Sequence, residues 1–105
     1  MIYILNSAVL TSFGVYEFRE ISAEEVARRL GQQGFLSAVG HELTATILSQ
    51  ILGVEIPHNR VQISMQPGDQ AVVFRLRNRL PENAQLTLEE AKALSYELGY
   101  LVRVS

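Results

Sequence analysis

Ser37-Ala-Val-Gly-His-Glu-Leu-Thr-Ala-Thr-Ile-Leu-Ser-Gln-Ile-Leu-Gly53 decides the fold, because it runs from a short segment through a small-residue turn into a helix. Leu43, Ile47, Leu48, Ile51 and Leu52 fall on one helical stripe, and Gly53 stops the helix. The turn puts His41 into the first helical turn. A helix N-terminus presents unpaired backbone N–H groups and partial positive charge, which suit a phosphate. Gly40 lets a ligand come close to the backbone. Imidazole exchanges its proton near neutral pH, so this arrangement suits proton transfer to or from a phosphoester. Taken alone, the same residues more simply describe a histidine that packs or hydrogen-bonds in the first turn of a helix.

Outward from this stretch, strands and helices alternate without linkers or repeats. Residues 2–6 and 15–20 read as strands, the second alternating Val15, Glu17 and Arg19 with Tyr16 and Phe18. Ser22-Ala-Glu-Glu25 is a capping box, and Ala23, Val26, Ala27 and Leu30 give the buried stripe of a helix ending near Gly31. Phe35 and Leu36 form a short buried segment leading into the turn. Residues 60–66 and 70–77 read as a hairpin in which Val61, Ile63 and Met65 alternate with polar residues and Pro67-Gly68 makes a type II turn. On the second of these strands Val72, Phe74 and Leu76 share one face, while Val73, Arg75 and Arg77 share the other, joined by Arg79 if the strand runs on. Thr87-Leu-Glu-Glu90 is a second capping box, opening a helix with Leu88, Ala91 and Leu94 inward that Gly99 closes before a strand over 100–104. The pattern predicts an α/β (mixed α+β) domain spanning 1–105, with a mixed sheet of about five strands and helices packed mainly on one face.

Composition narrows the function. The chain has 105 residues, 48% hydrophobic and 19% charged, which suits one globular domain. Cysteine is absent, which excludes a disulfide framework, a thiolate nucleophile and a thiolate zinc site, and is compatible with a cytoplasmic protein. The apolar run at 1–5 ends at Asn6 and Ser7, too short for a signal segment or a membrane span. A net charge of −2 disfavours duplex DNA, which calls for a large basic surplus. Arg60, Arg75, Arg77 and Arg79 face only Asp69 between residues 60 and 79, a local positive patch better matched to a small polyanion. His41-Glu-Leu-Thr-Ala45 lacks the second histidine of a zinc-protease helix, and two histidines without cysteine build no all-protein zinc cage. No metal or other cofactor is expected.

Five short segments occur in order: Leu5-Asn6-Ser7, Val39-Gly40-His41 with Thr44, Asn59-Arg60-Val61, Pro67-Gly68-Asp69 and Arg79-Leu80-Pro81-Glu82. In these the chain resembles the small viral and mobile-element family of anti-CRISPR ring nucleases. The resemblance implies a homodimer that degrades cyclic tetra-adenylate, the messenger of type III CRISPR systems, and the expected compartment is the cytoplasm, that of the host cell if the source is viral. It implies catalysis by His41 and Glu82, phosphate binding by Arg79, and ligand contacts from Asn6 and Arg60. Gly40, Thr44 and Arg75 complete the candidate substrate-binding set. Without the resemblance, Asn6 reads as a turn-forming amide, Arg60 as a surface charge, and Thr44 as a partner of either phosphate or backbone. His58 reads as a solvated loop histidine, and Glu42 as a complement to the helix N-terminus. Family members often carry glycine after the glutamate, where this chain has Asn83. The alternative reading is a non-catalytic DNA-binding or regulatory homodimer.

Overall fold

Period-two alternation of apolar residues builds the sheet that carries everything else. The computed structural model describes residues 2–6, 12–76 and 96–105, Leu76 by its backbone alone. In chain order the elements are β1 (Ile2–Leu5), β2 (Tyr16–Glu20), α1 (Ala23–Gln32), β3 (Phe35–Ser37), α2 (Glu42–Leu52), β4 (Gln70–Leu76) and β5 (Tyr96–Arg103). They form a five-stranded sheet in the order β2-β5-β4-β1-β3. β1 is parallel to both β3 and β4, whereas β5 is antiparallel to β4 and to β2. Parallel neighbours need long crossovers. Here α1 lies on the path from β1 to β3, and α2 on the path from β3 to β4. This is the mixed α+β architecture that the alternation predicts.

Each strand divides its side chains between two apolar layers. Ile2, Ile4, Val72, Phe74, Leu98 and Tyr100 face the helices and meet Val26 and Leu30 of α1 and Ile47, Leu48 and Leu52 of α2. Burying one such side chain contributes about 1.5–3 kcal/mol, so this layer dominates stability. Both described helices lie on this face, as expected. The opposite face gathers Leu5, Ala71, Val73 and Leu101 under Met65 and Ile63.

Local signals explain the helices. The Ser22 hydroxyl accepts the Glu25 N–H at 3.2 Å, the first half of the predicted capping box. The second half is replaced: the Glu25 carboxylate turns along α1 to Arg29, at 3.0 Å, and to Arg28. Hydrogen bonds from Arg29 and then Arg28 hold the Glu25 carboxyl below the usual carboxylate range. Arg29 also stands 4.6 Å from the centre of the Tyr100 ring, tying α1 to β5. α2 ends at Gly53, whose φ of 68° places it in the left-handed region that closes helices.

Three expectations need correction. Residues 60–66 belong to no strand. Both edges of β4 are already occupied, by β1 and by β5, so no edge remains for a hairpin partner. The Pro67-Gly68 turn itself forms, with the Asp69 N–H donating to the Gln66 carbonyl at 2.9 Å and Gly68 at a φ of 92°. The preceding residues instead lie as a strap across the helix-free face, pressing Ile63 and Met65 onto the second apolar layer. Arg103 fastens the lower end of the strap by donating to the Met65 carbonyl, and the Gly68 N–H donates to the Arg103 carbonyl at 2.8 Å. Second, Gly99 closes no helix but lies inside β5, paired with Glu20 and Val73. A Cβ there would come within 2.3 Å of the Phe18 ring, so glycine leaves room for that ring on the sheet. Third, Phe35 is half-buried and Leu36 exposed, and full burial begins only at Ser37, Ala38 and Val39. The second capping box and the helix predicted from it lie outside the described residues.

Candidate functional site

The parallel strands β1, β3 and β4 point the same way, so their C-terminal ends share one edge of the sheet. Crevices at such edges are the usual ligand sites of sheets with parallel strands and crossover helices. Asn6, exposed, follows β1 at this edge. The chain beyond β3 stays beside β1 for one more residue, with the Ala38 N–H donating to the Ile4 carbonyl at 2.8 Å, before turning into α2.

A latch from a second segment holds this turn. The hydroxyl of buried Ser37 donates to the Pro57 carbonyl at 2.6 Å. The Asn59 carboxamide donates to the Ser37 carbonyl at 2.7 Å, and the Asn59 N–H to the Val39 carbonyl at 2.9 Å. Residues 57–60 are therefore fastened alongside 37–39. The consequence falls on Arg60. A Cβ added to Gly40 would lie 3.3 Å from Arg60 Cγ and 3.7 Å from its Cβ, so the arginine stem covers the glycine closely. Gly40 has no positive φ; its value is the close approach it permits.

His41 stands one residue earlier than the sequence predicts, as the N-cap of α2 and not inside its first turn. Its backbone is extended, at φ −127° and ψ 120°, and its carbonyl accepts the Ala45 N–H at 3.0 Å. The imidazole makes no capping hydrogen bond and is exposed, so it projects from a helix N-terminus whose first-turn donors it leaves uncapped. Thr44 is half-buried in that first turn, and Glu42 is exposed there. An exposed imidazole beside free helical N–H groups, with the stem of an arginine laid over the adjoining glycine, can bind a phosphoester and move a proton onto it.

The structure thus brings Gly40, His41, Thr44 and Arg60 together and sets Asn6 on the same edge. Arg75 belongs elsewhere. It projects from the helix-free face and pairs with Glu97, its direct partner on β5, beside a groove of about 280 Å³ lined by Phe18, Val73 and Gly99. Arg79, Glu82 and Asn83 lie outside the described residues; β4, which precedes them, ends at Leu76 on the edge that holds Asn6 and His41. His58 is exposed, as expected of a loop histidine. Sequence reasoning missed Ser37 and Asn59, although both flank residues it singled out. Among the described residues no three His, Asp or Glu side chains group to hold a metal, and no helix is long and apolar enough to cross a membrane.

Relatives carry the same framework. Residues 2–98 match the model of the STIV B116-like family. Uncharacterized protein 26 of Sulfolobus islandicus filamentous virus is 41% identical over 103 residues, covering 93% of this chain and 87% of that protein. Uncharacterized protein ORF117 of Acidianus two-tailed virus is 34% identical over 99% of this chain and 94% of its own length. Uncharacterized protein YddF of Bacillus subtilis is 34% identical over 95% of this chain and 94% of its own. The solved structure of B116 of Sulfolobus turreted icosahedral virus superposes with a TM-score of 0.85 over 97% of this chain and 98% of that one; at 20% identity this likeness speaks to fold alone. From the extent of these matches, the chain belongs to the STIV B116-like family.

Proposed function

We propose that this protein is a metal-independent ring nuclease that opens cyclic tetra-adenylate as a homodimer in the host cytoplasm. The observation that carries the reading is the meeting of His41, Gly40 and Arg60 at the edge where β1, β3 and β4 all end. In the proposed reaction a ribose 2′-oxygen attacks the adjacent phosphorus in line, and its proton passes to water. The bond from phosphorus to the 5′-oxygen breaks as His41, as imidazolium, protonates the departing oxygen. The products are a 2′,3′-cyclic phosphate and a 5′-hydroxyl. Arg79 neutralises charge gathering on the phosphoryl oxygens, and Glu82 orients or stabilises the imidazolium. Arg60 and the N–H groups at the start of α2 hold a neighbouring phosphate, with Asn6 and Thr44 completing the cradle. A two-fold dimer matches a ring whose own symmetry includes a two-fold axis.

The test is incubation of purified protein with cyclic tetra-adenylate in EDTA, followed by chromatography of the products. Linear products under chelation support the proposal. Tight binding with an intact ring replaces it with sequestration. Sub-micromolar binding of duplex DNA at physiological salt, with a steep salt slope and no cleavage, replaces it with the DNA-binding reading.

A further inference from the structure

His41 and Arg60 reach the candidate site from two segments of the chain that are anchored unequally. His41 belongs to α2: its carbonyl accepts the Ala45 N–H at 3.0 Å, and Ile47, Leu48 and Leu52 seat that helix in the core. The residues before it are tied to β1 through the Ala38 N–H. Arg60 belongs to no helix or strand. It is the central residue of a γ-turn, in which the Val61 N–H donates to the Asn59 carbonyl at 3.1 Å. Asn59 joins that turn to the site, its carboxamide donating to the Ser37 carbonyl and its N–H to the Val39 carbonyl. Just upstream, the Ser37 hydroxyl holds the Pro57 carbonyl. Among the described residues no side chain pairs with the Arg60 guanidinium, so the backbone on either side of it sets where this arginine stands.

We propose that Asn59, supported by Ser37, is a positioning residue for Arg60: it fixes the arginine against the start of α2 before any ligand arrives. Arg60 matters through the ring-nuclease reading, on which this proposal rests; there it holds a phosphate beside the reacting one. An arginine on a loose segment has to be ordered by the ligand, and that ordering is subtracted from affinity. Asn59 removes most of this cost by anchoring the neighbouring residue to a carbonyl that is itself buried, Ser37 being 3% exposed. The Asn59 amide is engaged with Ser37, so its effect on the ligand passes through Arg60. His41 needs no such help, because α2 carries it.

Unequal anchoring predicts a kinetic signature. Asn59→Ala frees Arg60 and leaves His41 in place, so KM for cyclic tetra-adenylate is expected to rise about three- to tenfold at an unchanged kcat. Lost folding does the reverse, lowering kcat per mole of protein and leaving KM alone. Assays run well below the melting midpoint of each variant keep the two apart. Ser37→Ala, which loses the bond to Pro57 and keeps the carbonyl that Asn59 needs, is expected to raise KM less, by about two- to threefold. A double-mutant cycle then asks whether Asn59 acts through Arg60. Cyclic tetra-adenylate is titrated calorimetrically into His41→Ala protein, which prevents turnover. In that background Arg60→Ala is expected to weaken binding about tenfold or more. Adding Asn59→Ala to Arg60→Ala is expected to change affinity by less than about twofold. An unmoved KM for Asn59→Ala, or the same loss of affinity with and without Arg60, overturns the positioning role and leaves ring cleavage standing. Unaltered protein that neither binds nor opens the messenger overturns the ring-nuclease reading, and the role of Asn59 with it.

Discussion

Replacing Asn59 with alanine tests whether the latch beside the candidate site is a structural element in its own right. The carboxamide donates at 2.7 Å to the carbonyl of Ser37, a residue only 3% exposed. Truncation removes that bond and leaves a buried acceptor without its donor. An orphaned buried group costs about 1–3 kcal/mol, more than the net worth of about 1 kcal/mol for an ordinary hydrogen bond. The backbone bond from the Asn59 N–H to the Val39 carbonyl survives, which keeps the loss at a few kcal/mol and short of unfolding. In a domain of this size each kcal/mol shifts the melting midpoint by about 4–8 °C, so Asn59→Ala is expected to melt roughly 4–24 °C lower. Asn59→Asp is expected to be worse, because a carboxylate has no proton to donate and repels the Ser37 carbonyl. Urea titration of the three proteins reads the difference directly, with unchanged slopes showing that the folded state remains compact. A loss below about 0.5 kcal/mol for Asn59→Ala would falsify the latch.

His41→Ala is expected to change stability by no more than about 0.5 kcal/mol, since the imidazole is exposed and caps nothing, as a thermal melt can check. On the proposed function it lowers single-turnover cleavage by about a hundredfold or more, and a near wild-type rate removes His41 from the chemistry. Gly53→Ala costs about 1–2 kcal/mol because its φ of 68° is left-handed. Gly31→Ala, in α1 with open space around an added Cβ, gains roughly 0.5–1 kcal/mol; calorimetry that finds the opposite order contradicts both assignments. Glu25 has a folded pKa held below its unfolded value by Arg29 and Arg28, so its stabilisation is present above the carboxylate range and fades as pH falls through the folded pKa. Glu25→Gln is therefore expected to be less stable than wild type at neutral pH and to converge with it in acid; a gap that persists in acid rules out linkage through this carboxyl.

What the sequence made legible was local. Ser22 and Gly53 mark helix ends through local geometry that needs no tertiary partner, and both described helices fall close to their predicted bounds. The hairpin failed because a strap lying on a sheet face buries alternate residues just as a strand does. Ile63 and Met65 carry that rhythm outside any strand, with Val61 left exposed, and only knowing that both edges of β4 are taken separates the two cases. Gly99 misled similarly: a glycine after an amphipathic run resembles a helix stop, while its actual reason, the ring of Phe18, comes from a strand about eighty residues away. At the site, Gly40 and His41 were visible from their small-residue turn, and Asn6 and Arg60 through the family resemblance. Ser37 and Asn59 were not, because a latch made of carbonyl acceptors leaves no pattern in residue type.

The strap over residues 60–66 sets an order for how this molecule opens. Among the described residues its backbone joins no strand, whereas every strand beneath it is locked into a ladder. Its attachments include Asn59 above, Arg103 and the Pro67-Gly68 turn below, and the Ser12 and Ser64 hydroxyls that meet between them. Amide protons along the strap should therefore exchange with solvent long before those of β1, β4 and β5. That early opening lifts Ile63 and Met65 away and bares Ala71, Val73 and Leu101 while the sheet stays whole. One face of the protein can thus become sticky without the fold being lost, making the strap the first place to look for aggregation under heat and the first to brace against it.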